Sequence, residues 1–172
     1  MHTNWHKRAI HVKKSANKEN DVTIKAKNLK FKDIQTTKIF VAIRNGNNVK
    51  DLLMLDIPVK VGVNIGTPCF NQEMNKVLFT MWEGSNISKD CGIYFSTKSS
   101  KGEWSKPKEL NRTVNLPKSR SMAPYYLEET GVLYFSSNRP GGFGGYDLWM
   151  ANLDSSFNAS NIVNLGKEIN TG

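Results

Sequence analysis

The sequence predicts an all-β chain assembled from imperfect copies of one unit. Short runs rich in β-branched and aromatic residues recur along it, each bounded by Gly, Asn, Asp, Ser or Pro, and no stretch sustains a helical period. Leu110-Asn-Arg-Thr-Val-Asn115 returns as Leu165-Gly-Lys-Glu-Ile-Asn170, 55 residues later. Pro68-Cys-Phe70 returns as Pro124-Tyr-Tyr126, 56 residues later, and eleven residues beyond each proline Phe79 and Phe135 close an apolar run. Repetition at a fixed period of tens of residues marks a repeat architecture.

A unit of about 50 residues with about four short strands fits a β-propeller blade, a twisted antiparallel sheet buried on both faces by its neighbours. The expected fold is a partial β-propeller of about three four-stranded antiparallel blades. Residues 1–21 read as a polar, basic arm with a short apolar patch at Ala9–Val12. Residues 22–66 read as a divergent first blade, with strand-like Val22–Ala26, Ile39–Ile43 and Leu52–Leu55 and the ending Val59-Lys-Val-Gly-Val-Asn64. The second blade, 67–120, carries Val77–Met81 and Ile93–Ser96. The third, 121–172, carries Val132–Phe135 and Leu148–Ala151 and keeps the repeat best. Three blades fall short of the 4–8 that close a propeller. The ring is therefore expected to be completed elsewhere, by missing sequence or another copy, with open blade edges available for self-association.

The totals narrow the function classes. A hydrophobic share of 38% supports a packed core rather than a disordered chain. No window is apolar for the ~18 residues a bilayer crossing needs. Basic residues near the N-terminus are not followed by an apolar stretch, so no signal peptide is visible. The net charge is +9, and residues 1–60 hold 13 Lys/Arg against 5 Asp/Glu. That basic third reads as a solvated lysine-rich arm; without a zinc-finger, RNP-like or helix-turn-helix pattern, nucleic acid is not an expected partner. Cys69 and Cys91 form neither a metal spacing nor a disulfide framework and read as free thiols, with one disulfide between them the alternative in an oxidising compartment.

The most informative stretch is Leu133-Tyr-Phe-Ser-Ser-Asn-Arg-Pro-Gly-Gly-Phe-Gly-Gly-Tyr-Asp-Leu-Trp149. Strand formers on either side of a Gly/Pro cluster predict a β-hairpin with a specially shaped loop. Gly141, Gly142, Gly144 and Gly145 suggest several positive φ angles or a close backbone approach. With Asn164-Leu-Gly-Lys-Glu-Ile-Asn170, this run closely resembles the TolB-like (WD-repeat-like) propeller blade of Bacteroidota cell-envelope proteins. Gly102-Glu-Trp-Ser-Lys-Pro-Lys-Glu-Leu110 is similar to that family's inter-blade segment. The resemblance covers about residues 64–172 and is strongest over 121–170. The 76–95 copy departs from it, carrying Trp82-Glu-Gly-Ser-Asn-Ile-Ser-Lys-Asp90 in place of the arginine and paired glycines. The resemblance implies a periplasmic or outer-membrane-associated setting and the company of OmpA-like peptidoglycan-binding domains.

The candidate chemistry is sparse. Asn138, Arg139, the four glycines and Asp147 form the hairpin motif, in which Arg139 and Asp147 either pair or hydrogen-bond loop amides. Gly142-Phe-Gly144 lacks the remaining spacing and the following helix of a phosphate loop. His2, His6 and His11 all lie in the arm, away from any Ser-His or Cys-His arrangement in the blades. Glu73, Glu83, Asp90, Glu128 and Glu129 are the carboxylates available to a propeller glycosidase, which needs two facing one channel mouth, but their loop placement reads as solvated. Trp82, Phe143 and Tyr146, in or beside blade loops, are the candidate partner contacts. The sequence thus reads as a non-enzymatic interaction module for a protein or cell-wall partner, without cofactor or metal. The alternative is the remnant of a propeller hydrolase, a glycosidase or peptidase-associated propeller.

Overall fold

The computed structural model of the protein describes residues 9–12, 36–45, 48–84 and 90–171. Among these there is no helix, and the eleven strands form three antiparallel sheets. The first holds β1 (Ala9–Val12), β2 (Lys38–Asn45) and β3 (Asn48–Met54). The second holds β4 (Val63–Phe70), β5 (Lys76–Glu83), β6 (Cys91–Thr97) and β7 (Lys108–Glu109). The third holds β8 (Ser121–Leu127), β9 (Val132–Ser137), β10 (Asp147–Leu153) and β11 (Ala159–Asn164). Spatial order follows chain order in every sheet, so each is a simple meander.

The middle sheet is covered on both sides. In β5, Val77 and Phe79 enter one apolar cluster with Ile39, Ile57 and Ile65, while Leu78 between them enters the other. That second cluster joins Ile93, Leu110 and Val114 to Leu133, Phe135, Trp149 and Phe157 of the third sheet. Side chains alternate faces along a strand, so a strand buried on both sides must be apolar at successive positions, which is why β5 reads as a continuous apolar run. Each fully buried Leu, Val or Phe contributes about 1.5–3 kcal/mol.

Strands β4 and β8 depart from regular pairing in the same way. Register shifts between Gly66 and Cys69 in β4, and between Met122 and Tyr125 in β8. At the two shifts Thr67 and Ala123 take positive φ, 46° and 54°, each directly before a proline. Proline donates no N–H and is tolerated within a sheet mainly at edges and bulges. The repeated prolines therefore mark repeated bulges.

The second and third sheets meet through polar contacts as well. Thr80, fully buried, places its hydroxyl 2.6 Å from that of Thr67 and accepts the N–H of Ala123 at 2.9 Å. The N–H of Tyr126 points to Cys69 Sγ at 3.2 Å, Gln72 reaches Glu129 and Lys76 pairs with Glu128.

Three expectations are corrected. Ala9–Val12 is not arm but a strand, paired antiparallel with Lys38–Val41; its β-branched residues suit a sheet. The second unit begins at Val63 rather than residue 67, because Asn64 of the repeat ending already lies in β4. In the second and third units the sequence predicts only the two middle strands as individual runs; the outer strands β4 and β8 are interrupted by Pro68 and Pro124, β7 is only Lys108–Glu109, and β11 is half polar. Val22–Ala26, His2 and His6 lie outside the described residues.

Candidate functional site

The β9–β10 hairpin forms as expected, Ser137 pairing with Asp147, and its loop is fixed from both ends. Asn138 Oδ1 accepts the N–H of Arg120 at 2.7 Å, tying the loop's entry to the connection between the second and third sheets.

Arg139 and Asp147 do not pair; they take different partners. The Arg139 side chain turns inward and is only 8% exposed. It donates to the carbonyl oxygens of Thr113, at 2.9 Å, and Val114, and to the hydroxyls of Ser121 and Ser137. The guanidinium centre also stacks 4.9 Å from the Phe135 ring and 5.2 Å from that of Trp149. Burial lowers its pKa from the usual value, though the group stays charged at any physiological pH. Arg139 therefore staples the inter-sheet connection onto the third sheet. That role fully engages it.

Asp147 holds the loop itself. Its carboxylate accepts the N–H of Phe143 at 2.6 Å, the N–H of Gly144 at 3.1 Å and the Asn164 amide at 2.9 Å. Burial opposes ionisation, but these three donors outweigh it and hold the carboxyl below its usual range.

The glycines have separate reasons. Of the four, only Gly141 has positive φ, 89°. Gly142 is required by proximity: a Cβ there would lie 2.2 Å from Asp147 Oδ2. Of the two expected alternatives, several positive φ angles or a close backbone approach, the loop holds one positive φ, at Gly141, and one close approach, at Gly142.

The fixed loop leaves two aromatic rings in solvent, Phe143 at 52% and Tyr146 at 43% exposure, with Arg120 Nη1 donating to the Tyr146 hydroxyl at 3.2 Å. Trp82 does not join them. It is buried at 8% within β5, between its ladder partners Asn64 and Cys91, and presents no contact surface. Sequence reasoning missed Arg120, which lies outside the glycine-rich motif and reaches the loop only through the fold.

The carboxylates weighed for acid–base work fall at two ends of β5: Glu73 and Glu128 lie at one, where Asn75 donates to Glu73 and Asn71 donates to Glu128, and Glu83 lies at the other. Glu128 pairs with Lys76 at one end of β5, and Glu83 stands at the other end, roughly 24 Å along the strand from Lys76 at about 3.4 Å per residue. A glycosidase pair needs its carboxyls within about 10 Å. Glu83 instead lines, with Lys60, Lys106 and Met81, an apolar cleft of about 480 Å³ between the segments that lead into β4 and β7. Cys69 and Cys91 are both unpaired, and burial raises both thiol pKa values. Compared with known proteins, the chain matches no family model and no curated relative.

Proposed function

We propose that the chain is part of a β-propeller and serves as a non-enzymatic binding module of a bacterial cell-envelope assembly. Three meander sheets stacked face to face support the propeller reading, as does a repeat ending that makes the same contacts in two of them. The envelope setting rests on the resemblance of Leu133–Trp149 and Asn164–Asn170 to the TolB-like blade.

The observation that carries the binding role is the presentation of Phe143. Its own N–H is held by Asp147, so the exposed ring sits on a pinned backbone beside Tyr146 and Arg120. Aromatic and arginine residues on a pre-organised loop make effective protein contacts, because little entropy is lost when they are covered. The partner is a protein of the envelope or the cell wall itself, and this composition favours protein.

The test places a photo-crosslinking residue at position 145, beside the rings, and measures binding of the chain to purified envelope proteins and to peptidoglycan sacculi. Phe143→Ala with Tyr146→Ala is expected to lower affinity by about 30-fold, the effect of losing one central aromatic anchor, with unchanged thermal stability. Equal binding by wild type and the double variant would remove the role.

A further inference from the structure

The third sheet has one covered face and one open face. Cross-strand partners share a face, so Tyr125, Tyr134 and Met150 form one row of the open side and Ser136 and Leu148 a second. Tyr125 is 58% and Leu148 45% exposed, and Val163, paired with Met150, is 44% exposed.

The same rows exist in the second sheet. There Cys69, Leu78 and Phe95 form the first and Thr80 and Ile93 the second, at matching positions in the repeat. In that sheet the face is buried: Leu78 and Ile93 lie within the apolar cluster that the third sheet closes, and Thr80 accepts the N–H of the bulged Ala123. Row for row, the open face thus repeats one that this fold covers with another sheet, with a hydroxyl at Ser136 where Thr80 has its own.

Among the described residues the opposite end of the stack is open too. Ile39 faces the second sheet, so its neighbour Phe40 and the ladder partner of Phe40, Met54, point away from it, and Met54 is 54% exposed.

We infer that the open face of the third sheet is the seat of a further sheet, supplied by the first sheet of a second copy of this chain. This rests on the propeller reading and moves the expected self-association from the sheet edges to a sheet face. Two copies joined head to tail bring Leu148 of each against Met54 of the other, a contact that closes under two-fold symmetry. Together they supply six sheets, within the range that closes a propeller.

The experiment is sedimentation equilibrium on the full chain and two surface variants, Leu148→Lys and Met54→Lys. Wild type is expected at twice the chain mass and each variant at the mass of one chain, with native circular dichroism retained. Mixing the variants is expected to restore the two-chain species, because one of the two contacts is then unmutated. A monomeric wild type at its solubility limit overturns the inference. So does a dimer that Leu148→Lys breaks and Met54→Lys leaves intact, which would mean that two third sheets meet. Phe143 lies in neither face, so partner binding through the loop is measured independently and can hold or fail separately.

Discussion

Asn115 grips Ile93 by both backbone groups: its side-chain oxygen accepts the Ile93 N–H at 2.8 Å and its amide donates to the Ile93 carbonyl at 2.9 Å. Asn170 does the same to Leu148 in the third sheet, at 2.7 and 3.0 Å. One planar amide carries a donor and an acceptor side by side, which neither a carboxylate nor a hydroxyl group reproduces. The clamp fastens the turn that ends each unit to its third strand. Asn64, the first copy of the ending, accepts the N–H of Thr37 instead and donates to Gly84, so the first unit keeps the residue but only half of the contact.

Asn115→Asp keeps the volume but turns a carboxylate toward the Ile93 carbonyl. It is expected to destabilise the fold by about 2–3 kcal/mol, because the amide's bonds to the Ile93 and Leu110 carbonyls are both lost and those oxygens are left facing a carboxylate, while the Ile93 N–H keeps its acceptor. Urea unfolding followed by tryptophan fluorescence measures this. Asn170→Asp should behave alike, and stability equal to wild type for either variant would show that the clamp is incidental.

The sequence carried the fold class because burial on both faces leaves a direct trace: Val77–Phe79 and Ile93–Phe95 must be apolar at successive positions. It carried the repeat because the asparagine clamp and the bulge-forming proline each depend on one residue type. It hid the first strands because a proline that signals interruption locally is absorbed by a bulge whose donor, Ala123 N–H, finds Thr80 more than 40 residues away in sequence. It also left the Arg139–Asp147 choice open. Position within a hairpin cannot reveal that Thr113 and Val114 arrive from the preceding connection to receive the guanidinium.

Thr80 offers a second stability test. Thr80→Val preserves shape but removes the hydroxyl shared by Thr67 and Ala123. A loss of about 1–3 kcal/mol is expected, since two hydrogen bonds at the fully buried Thr80 hydroxyl are lost. Thr80→Ser, which keeps the hydroxyl, should lose less. The two variants compared by urea midpoint separate hydrogen bonding from packing.

Arg139→Lys retains charge but not the fork that reaches two carbonyls and two hydroxyls at once. Arg139→Met retains much of the volume and discards the charge. Both leave the Thr113 and Val114 carbonyls short of donors and should destabilise by about 3 kcal/mol. Full stability of Arg139→Lys would show that charge alone, stacked on Phe135 and Trp149, suffices.

Asp147 makes stability depend on acid. Its folded pKa lies below the unfolded value of about 3.9, so its contribution is complete above that value and is lost as pH falls through the folded pKa. Asp154 adds to the same window: bonds from the Asn158 side chain and N–H, and from the N–H of Ser156, outweigh its burial. The urea midpoint should hold from about pH 7 to 5 and fall between about pH 4 and 2. Asp147→Asn should flatten that fall, and an unchanged acid slope in the variant would separate the loop's carboxylate from acid sensitivity.

The glycines of the loop allow a comparison of near neighbours. Gly145 has no atom within 4 Å of where a Cβ would stand, whereas Gly142 would thrust one into the Asp147 carboxylate. Gly145→Ala is therefore expected to leave stability and loop geometry intact. Gly142→Ala must push the carboxylate aside, weakening its bonds to Phe143, Gly144 and Asn164, at a cost of about 1–3 kcal/mol for an overpacked site. The consequence reaches function, because the backbone that presents Phe143 is released. Binding to the partner proposed for this loop should fall in Gly142→Ala and persist in Gly145→Ala, and the acid slope attributed to Asp147 should fade in the former alone. If both alanine variants bind equally well, the exposed ring does not depend on the pinned loop, and the close approach of Gly142 to Asp147 serves stability only.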